Sequence, residues 1–174
     1  SFYVDEDDLG RYGGSGRWVQ DQKGWWYAFD TGGYPSSCWK QINGAWYYFN
    51  NSGYILTGWQ RLDGDWYYLN PSGAMTTGWQ AINGQWYHMN SSGVMQTGWQ
   101  AVNGRWYYMN SSGAMQTGWQ RLNGQWYYLD PSGAMLTGWQ AINGKWYYLG
   151  SNGVMYANTT TPDGRYVDGS GALQ

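Results

Sequence analysis

The chain has 174 residues, a formal net charge of -2 and 11% charged side chains, against roughly 25% in a typical globular domain. It holds 15 Trp and 18 Tyr but only 3 Phe, and its mean hydropathy is -0.69. The nine Lys and Arg are scattered rather than clustered, which argues against nucleic acid or an anionic membrane as partner. The lone Cys38 excludes an internal disulfide, and no apolar run is long enough for a membrane helix.

Residues 1–16 read as a lead-in or linker, and the abrupt start at Ser1 reads as a mature piece or fragment of something longer. Asp5, Glu6, Asp7 and Asp8 form the one carboxylate cluster, expected to be solvated rather than to hold a metal or do acid–base work. Residues 17–37 make a divergent first repeat, with Trp18, Trp25, Trp26, Tyr27 and Tyr34. Val19 stands where strict register would place the first Trp.

Six regular repeats fill residues 38–157. Trp39, Trp59, Trp79, Trp99, Trp119 and Trp139 recur every twenty residues, and Trp46, Trp66, Trp86, Trp106, Trp126 and Trp146 follow each by seven. Each second Trp precedes a Tyr pair such as Tyr47-Tyr48, except that His88 takes the second place in one repeat. Met75, Met95, Met115, Met135 and Met155 close the units, with Ile55 in the first. A period of this length is the mark of a repeat architecture.

Between the two Trp of every unit lies Asn-Gly or Asp-Gly, from Asn43-Gly44 to Asn143-Gly144. Both central residues of a type I′ turn need positive φ, and these pairs supply it most readily, so each unit predicts a hairpin. With the turn at residues 43–44, Trp39 faces Tyr48 and Gln41 faces Trp46. Side chains alternate along a strand, so Trp39, Gln41, Trp46 and Tyr48 share one face while Ile42, Tyr47 and Phe49 share the other. Asn70-Pro71-Ser72-Gly73 and Asp130-Pro131-Ser132-Gly133 predict turns between units, with Pro at the second position. A lone hairpin is marginal in water, so neighbours must stack, and the expected fold is an all-β solenoid of stacked hairpins. Residues 158–174 predict a C-terminal cap.

One His and one Cys leave no supported catalytic triad or metal set, and the chain reads as a binding module without cofactor, not an enzyme. Packing alone would tolerate Leu, Ile or Phe where every regular unit keeps two Trp. Paired Trp suit a cation–π cage, with Met as a soft wall, and they equally suit sugar stacking. Physics by itself leaves both open.

Gly58-Trp59, Gly64, Trp66-Tyr67-Tyr68, Gly73, Met75 and Thr77-Gly78-Trp79 resemble the repeat of choline-binding modules of pneumococcal-type surface proteins and wall-lytic enzymes. The resemblance covers about two thirds of the chain and implies a left-handed superhelix of hairpins. It implies as ligand the choline, or phosphocholine, of teichoic and lipoteichoic acids, and hence an extracellular place at the bacterial wall. It implies cages of two rings from one hairpin and a third from the next. Carried over, Trp39 and Trp46 meet Tyr68, Trp59 and Trp66 meet His88, and Trp79 and Trp86 meet Tyr108. Likewise Trp99 and Trp106 meet Tyr128, Trp119 and Trp126 meet Tyr148, and Tyr166 is the candidate to close the cage of Trp139 and Trp146. The five Met complete the expected ligand-contacting set, and the terminal repeats offer a surface for an oligomer. A glucan-binding array is the alternative, and the targeting module of a wall hydrolase lacking its catalytic domain is a variant of the first reading.

Overall fold

The Asn-Gly and Asp-Gly pairs set the local geometry in the computed structural model, which describes residues 15–174. The acidic cluster of residues 5–8 lies outside the described residues. Asn43 and Gly44 have φ of 50° and 83°, Asn103 and Gly104 have 49° and 77°, and the other four pairs follow suit. This is the signature of type I′ turns, whose twist matches that of the flanking strands.

Sixteen strands form eight two-stranded antiparallel hairpins among the described residues. The divergent first hairpin is β1 (Gly16–Asp21) with β2 (Gly24–Phe29). Then come β3 (Cys38–Ile42) with β4 (Ala45–Phe49), β5 (Gly58–Leu62) with β6 (Asp65–Leu69), and β7 (Gly78–Ile82) with β8 (Gln85–Met89). They are followed by β9 (Gly98–Val102) with β10 (Arg105–Met109), and β11 (Gly118–Leu122) with β12 (Gln125–Leu129). The last two are β13 (Gly138–Ile142) with β14 (Lys145–Leu149), and β15 (Thr159–Thr160) with β16 (Tyr166–Val167). The register of β3 and β4 pairs Trp39 with Tyr48 and Gln41 with Trp46, as the turn position predicts.

The described residues group into two compact units, one of residues 15–80 together with His88–Met95, the other of Ala81–Tyr87 together with Gln96–Gln174. Within each unit one backbone bond repeats from hairpin to hairpin. In the first, the Ile55, Met75 and Met95 amides donate to the carbonyls of Trp25, Trp46 and Trp66 at 2.9, 2.8 and 2.8 Å. In the second, Met115, Met135, Met155 and Leu173 donate to Trp86, Trp106, Trp126 and Trp146 at 2.8–2.9 Å. The closing residue of each unit is therefore tied to the strand of the second Trp before it.

The deepest part of the core is a row of apolar residues, one from each hairpin after the first, while the first hairpin adds Tyr27 and Phe29 beside Ile42 and Phe49. Phe49, Leu69 and Met89 in the first unit, and Met109, Leu129, Leu149 and Val167 in the second, are fully buried. Each such side chain contributes about 1.5–3 kcal/mol on burial, which an isolated hairpin could not gain. The turns between units are held by their first residue. The Asn70 carboxamide oxygen accepts from the Ser72 and Ala74 amides at 2.9 and 3.0 Å, and Asp130 does the same for Ser132 and Ala134. The Gly73 amide donates to the Asn70 carbonyl at 2.8 Å, so Pro71 takes the predicted second position. Gly133 ends its turn at φ 88°, and a Cβ there would run into the Met115 thioether.

Candidate aromatic cages between hairpins

The two Trp of a hairpin lie on one face, and the second is the more open, with Trp106 47% and Trp146 50% exposed. Trp99, Trp106, Tyr127 and Met135 enclose a cavity of about 360 Å³, bordered also by Ser151 and Asn152. Two rings come from β9 and β10, the third from β12, and the thioether from the turn that follows. No ionised side chain lines this cavity. Uncharged aromatic and thioether walls can solvate an onium ion through ring faces and polarizable sulfur, but they offer it no counter-charge.

The ring that meets the preceding hairpin is the first Tyr of the pair, not the second, at Tyr47, Tyr67, Tyr127 and Tyr147. Tyr67 lies 4.9 Å from Trp39, Tyr127 lies 4.9 Å from Trp99, and Tyr147 lies 5.0 Å from Trp119, centroid to centroid. Tyr68, Tyr108, Tyr128 and Tyr148 instead pack on the first Trp of their own hairpins, Trp59, Trp99, Trp119 and Trp139, at 5.1–5.2 Å. The expected closing rings Tyr68, Tyr108, Tyr128 and Tyr148 are thus placed within their own hairpins. The face assignment itself holds, since the second Tyr does share the Trp face. Within each unit the hairpins stack face to back, so the Trp face of one sees the opposite face of the next, and that face carries the first Tyr.

His88 is displaced by the same logic. Its ring lies 4.8 Å from Trp79 of its own hairpin, rather than closing on Trp59 and Trp66. Its Nδ1 is buried with no hydrogen-bond partner, and burial holds the imidazole below its ordinary pKa range. Trp59 and Trp66 meet edge to face at 6.4 Å, as do Trp119 and Trp126 at 6.3 Å.

The divergent first hairpin carries a constellation that the twenty-residue register hides. Trp18 pairs with Tyr27 at 5.3 Å, as Trp39 does with Tyr48, and it meets Tyr47 of the next hairpin at 4.9 Å. Gln20 faces Trp25 as Gln41 faces Trp46, so Trp25 holds the second-Trp place and Val19 does not mark a lost ring. Trp18 and Trp25 are seven residues apart, the spacing within every regular unit. That inner spacing is the signal that exposes the site.

Two other substitutions keep to structural roles. Cys38 is buried and its thiol is pushed up by desolvation, so it is poorly nucleophilic. Lys40, in the place of Gln60, is buried with Nζ 5.2 Å from the Phe29 ring, an internal cation–π pair; burial lowers its pKa.

A family model described as the choline-binding repeat matches residues 36–77, 76–117 and 116–159, more than half of the chain. The chain belongs to the choline-binding repeat family. Among solved structures it is similar to choline binding protein F from Streptococcus pneumoniae, at 40% identity and a TM-score of 0.87, covering 92% of this chain and 58% of that one. CbpJ from Streptococcus pneumoniae TIGR4 is 41% identical at a TM-score of 0.86, with the same shares covered. A cell wall endolysin of phage Cp-1, solved complexed with choline, is 41% identical at a TM-score of 0.52, over 70% of this chain and 37% of that one. The chain thus spans less than three fifths of the length of the first two. No curated protein matches it.

Proposed function

We propose that this array of choline-binding repeats anchors a longer protein to the bacterial wall through choline on teichoic and lipoteichoic acids. The observation that carries the reading is the cavity of Trp99, Trp106, Tyr127 and Met135, three rings and a thioether without an ionised side chain. The quaternary ammonium group of choline has no N–H to donate and carries diffuse charge, so such walls favour it over a small, well-hydrated ammonium. The similar phage endolysin was solved complexed with choline, which supports this ligand.

Each cage needs only weak affinity. A millimolar site is worth about -4 kcal/mol, and a polymer bearing many cholines that engages several cages gains perhaps 10²–10⁴ in avidity. The role is that of a reversible, non-catalytic anchor, outside the cell, for an adhesin or a wall-lytic partner domain.

Thermal unfolding with added ligand tests this. A ligand that binds only the folded state raises Tm with its concentration, and here the cages also bridge neighbouring hairpins. Choline at tens of millimolar, as an order of magnitude set by sites of millimolar affinity, raises Tm, whereas equal ethanolamine or glucose oligomers do not. An unchanged Tm in choline refutes the reading; a rise with glucose oligomers instead favours a glucan-binding array.

A further inference from the structure

The last aromatic pair is closed by charge rather than by a ring. Trp139, Trp146 and Leu173 line a cavity of about 230 Å³ together with Asp163 and Arg165 of the terminal hairpin. Val167 pairs with Leu173 as Leu149 pairs with Met155 and is likewise fully buried, so Arg165, two residues before it, takes the place of the closing first Tyr, and Tyr166 is not among the lining residues. Leu173 stands for Met, its amide bonded to the Trp146 carbonyl at 2.9 Å. The expected closure by Tyr166 therefore gives way to an ion pair.

That ion pair is oriented at one end and loose at the other. The Trp139 indole N–H donates to Asp163 Oδ2 at 3.1 Å, and the Thr161 hydroxyl donates to Oδ1. The bonds from Thr161 and then Trp139 hold the Asp163 carboxyl below the usual range, so it is anionic at neutral pH. Arg165 Nε is 3.7 Å from Asp163 Oδ2, and the two side chains are 62% and 50% exposed. A pair this open contributes little, so the guanidinium can swing to another anion at small cost. Two Trp rings and a hydrogen-bonded carboxylate suit an onium group, while the adjacent guanidinium suits an anionic oxygen group a few bonds away.

We propose that this terminal cavity is a zwitterion site, selecting a quaternary ammonium together with the phosphate attached to it. It rests on the cage reading above for its ammonium half, and Arg165 is the residue that sets its specificity. The uncharged cavity of Trp99 and Trp106 holds no such group and recognises the ammonium alone.

The test uses the full chain labelled with 5-fluorotryptophan and read by ¹⁹F NMR, with the Trp106 and Trp146 signals assigned from their Phe variants. Choline and phosphocholine are titrated in parallel. Trp146 responds to phosphocholine at about fivefold lower concentration than to choline, the size of one well-placed exposed ion pair. Trp106 shows no such preference. The preference at Trp146 disappears in Arg165→Gln, which leaves the Trp106 titration unchanged. Equal midpoints at Trp146, or a preference that survives Arg165→Gln, overturn the zwitterion site alone. A Trp106 signal that answers neither ligand overturns the cage reading itself.

Discussion

Replacing Tyr127 separates the geometry of the cage from the pairing expected of the second Tyr. Tyr127 is one of three rings around the cavity and lies 4.9 Å from Trp99, while the adjacent Tyr128 lies 5.1 Å from Trp119. A cation–π contact is worth about 0.5–1 kcal/mol exposed and ~2 when desolvated. The cavity is partly open, so Tyr127→Leu, which keeps apolar bulk, loses about 1–2 kcal/mol of choline binding, or roughly 5–30-fold. At the concentration that half-fills the normal cage, its occupancy falls to about one sixth or less. Tyr128→Leu loses an edge contact worth about 0.5–1.5 kcal/mol of stability but leaves the Trp99 and Trp106 cage occupied. Crystals of both variants soaked in graded choline read the occupancy directly, with other cages in the same crystal as reference. Occupancy retained in Tyr127→Leu and lost in Tyr128→Leu would refute the face-to-back argument.

Trp99→Ala removes contacts with both Tyr108 and Tyr127, and it lowers but does not abolish retention on a quaternary-amine resin; complete loss in a folded variant contradicts an array of independent cages. Gly133→Ala costs more stability than Gly138→Ala by chemical denaturation, about 1–3 kcal/mol more. Both need positive φ, but only at Gly133 does the new Cβ meet the Met115 side chain, whereas Gly138 faces open space. Equal losses would show that backbone strain alone governs these turns. His88 is harder to protonate folded than unfolded, so the unfolded chain binds the extra proton first. Stability is therefore full above the ordinary imidazole range near pH 6.5 and falls as pH drops through it towards the lower folded pKa. His88→Tyr removes this acid-side slope in a series of melts between about pH 5 and 7.5; an unchanged slope assigns it to other groups.

Much of this molecule is legible in the chain because its determinants are local. Positive φ at Asn43-Gly44 and its counterparts is a property of two adjacent residues, and it fixes which strand positions pair and which side chains share a face. The twenty-residue period and the seven-residue step between paired Trp likewise depend on no distant contact. The partner of each face was not legible, because stacking direction is decided only when one hairpin packs on the next. Trp119 shares its own face with Tyr128, yet the ring across the interface is Tyr147, since the opposite face of the following hairpin is the one presented. His88 packs within its own hairpin for the same reason, and Trp18 holds the first-Trp place because the first hairpin is offset by one residue. At the C-terminal end, Val167 fills the core and Asp163 reaches the Trp139 indole, so closure by charge follows from packing that residue spacing does not encode.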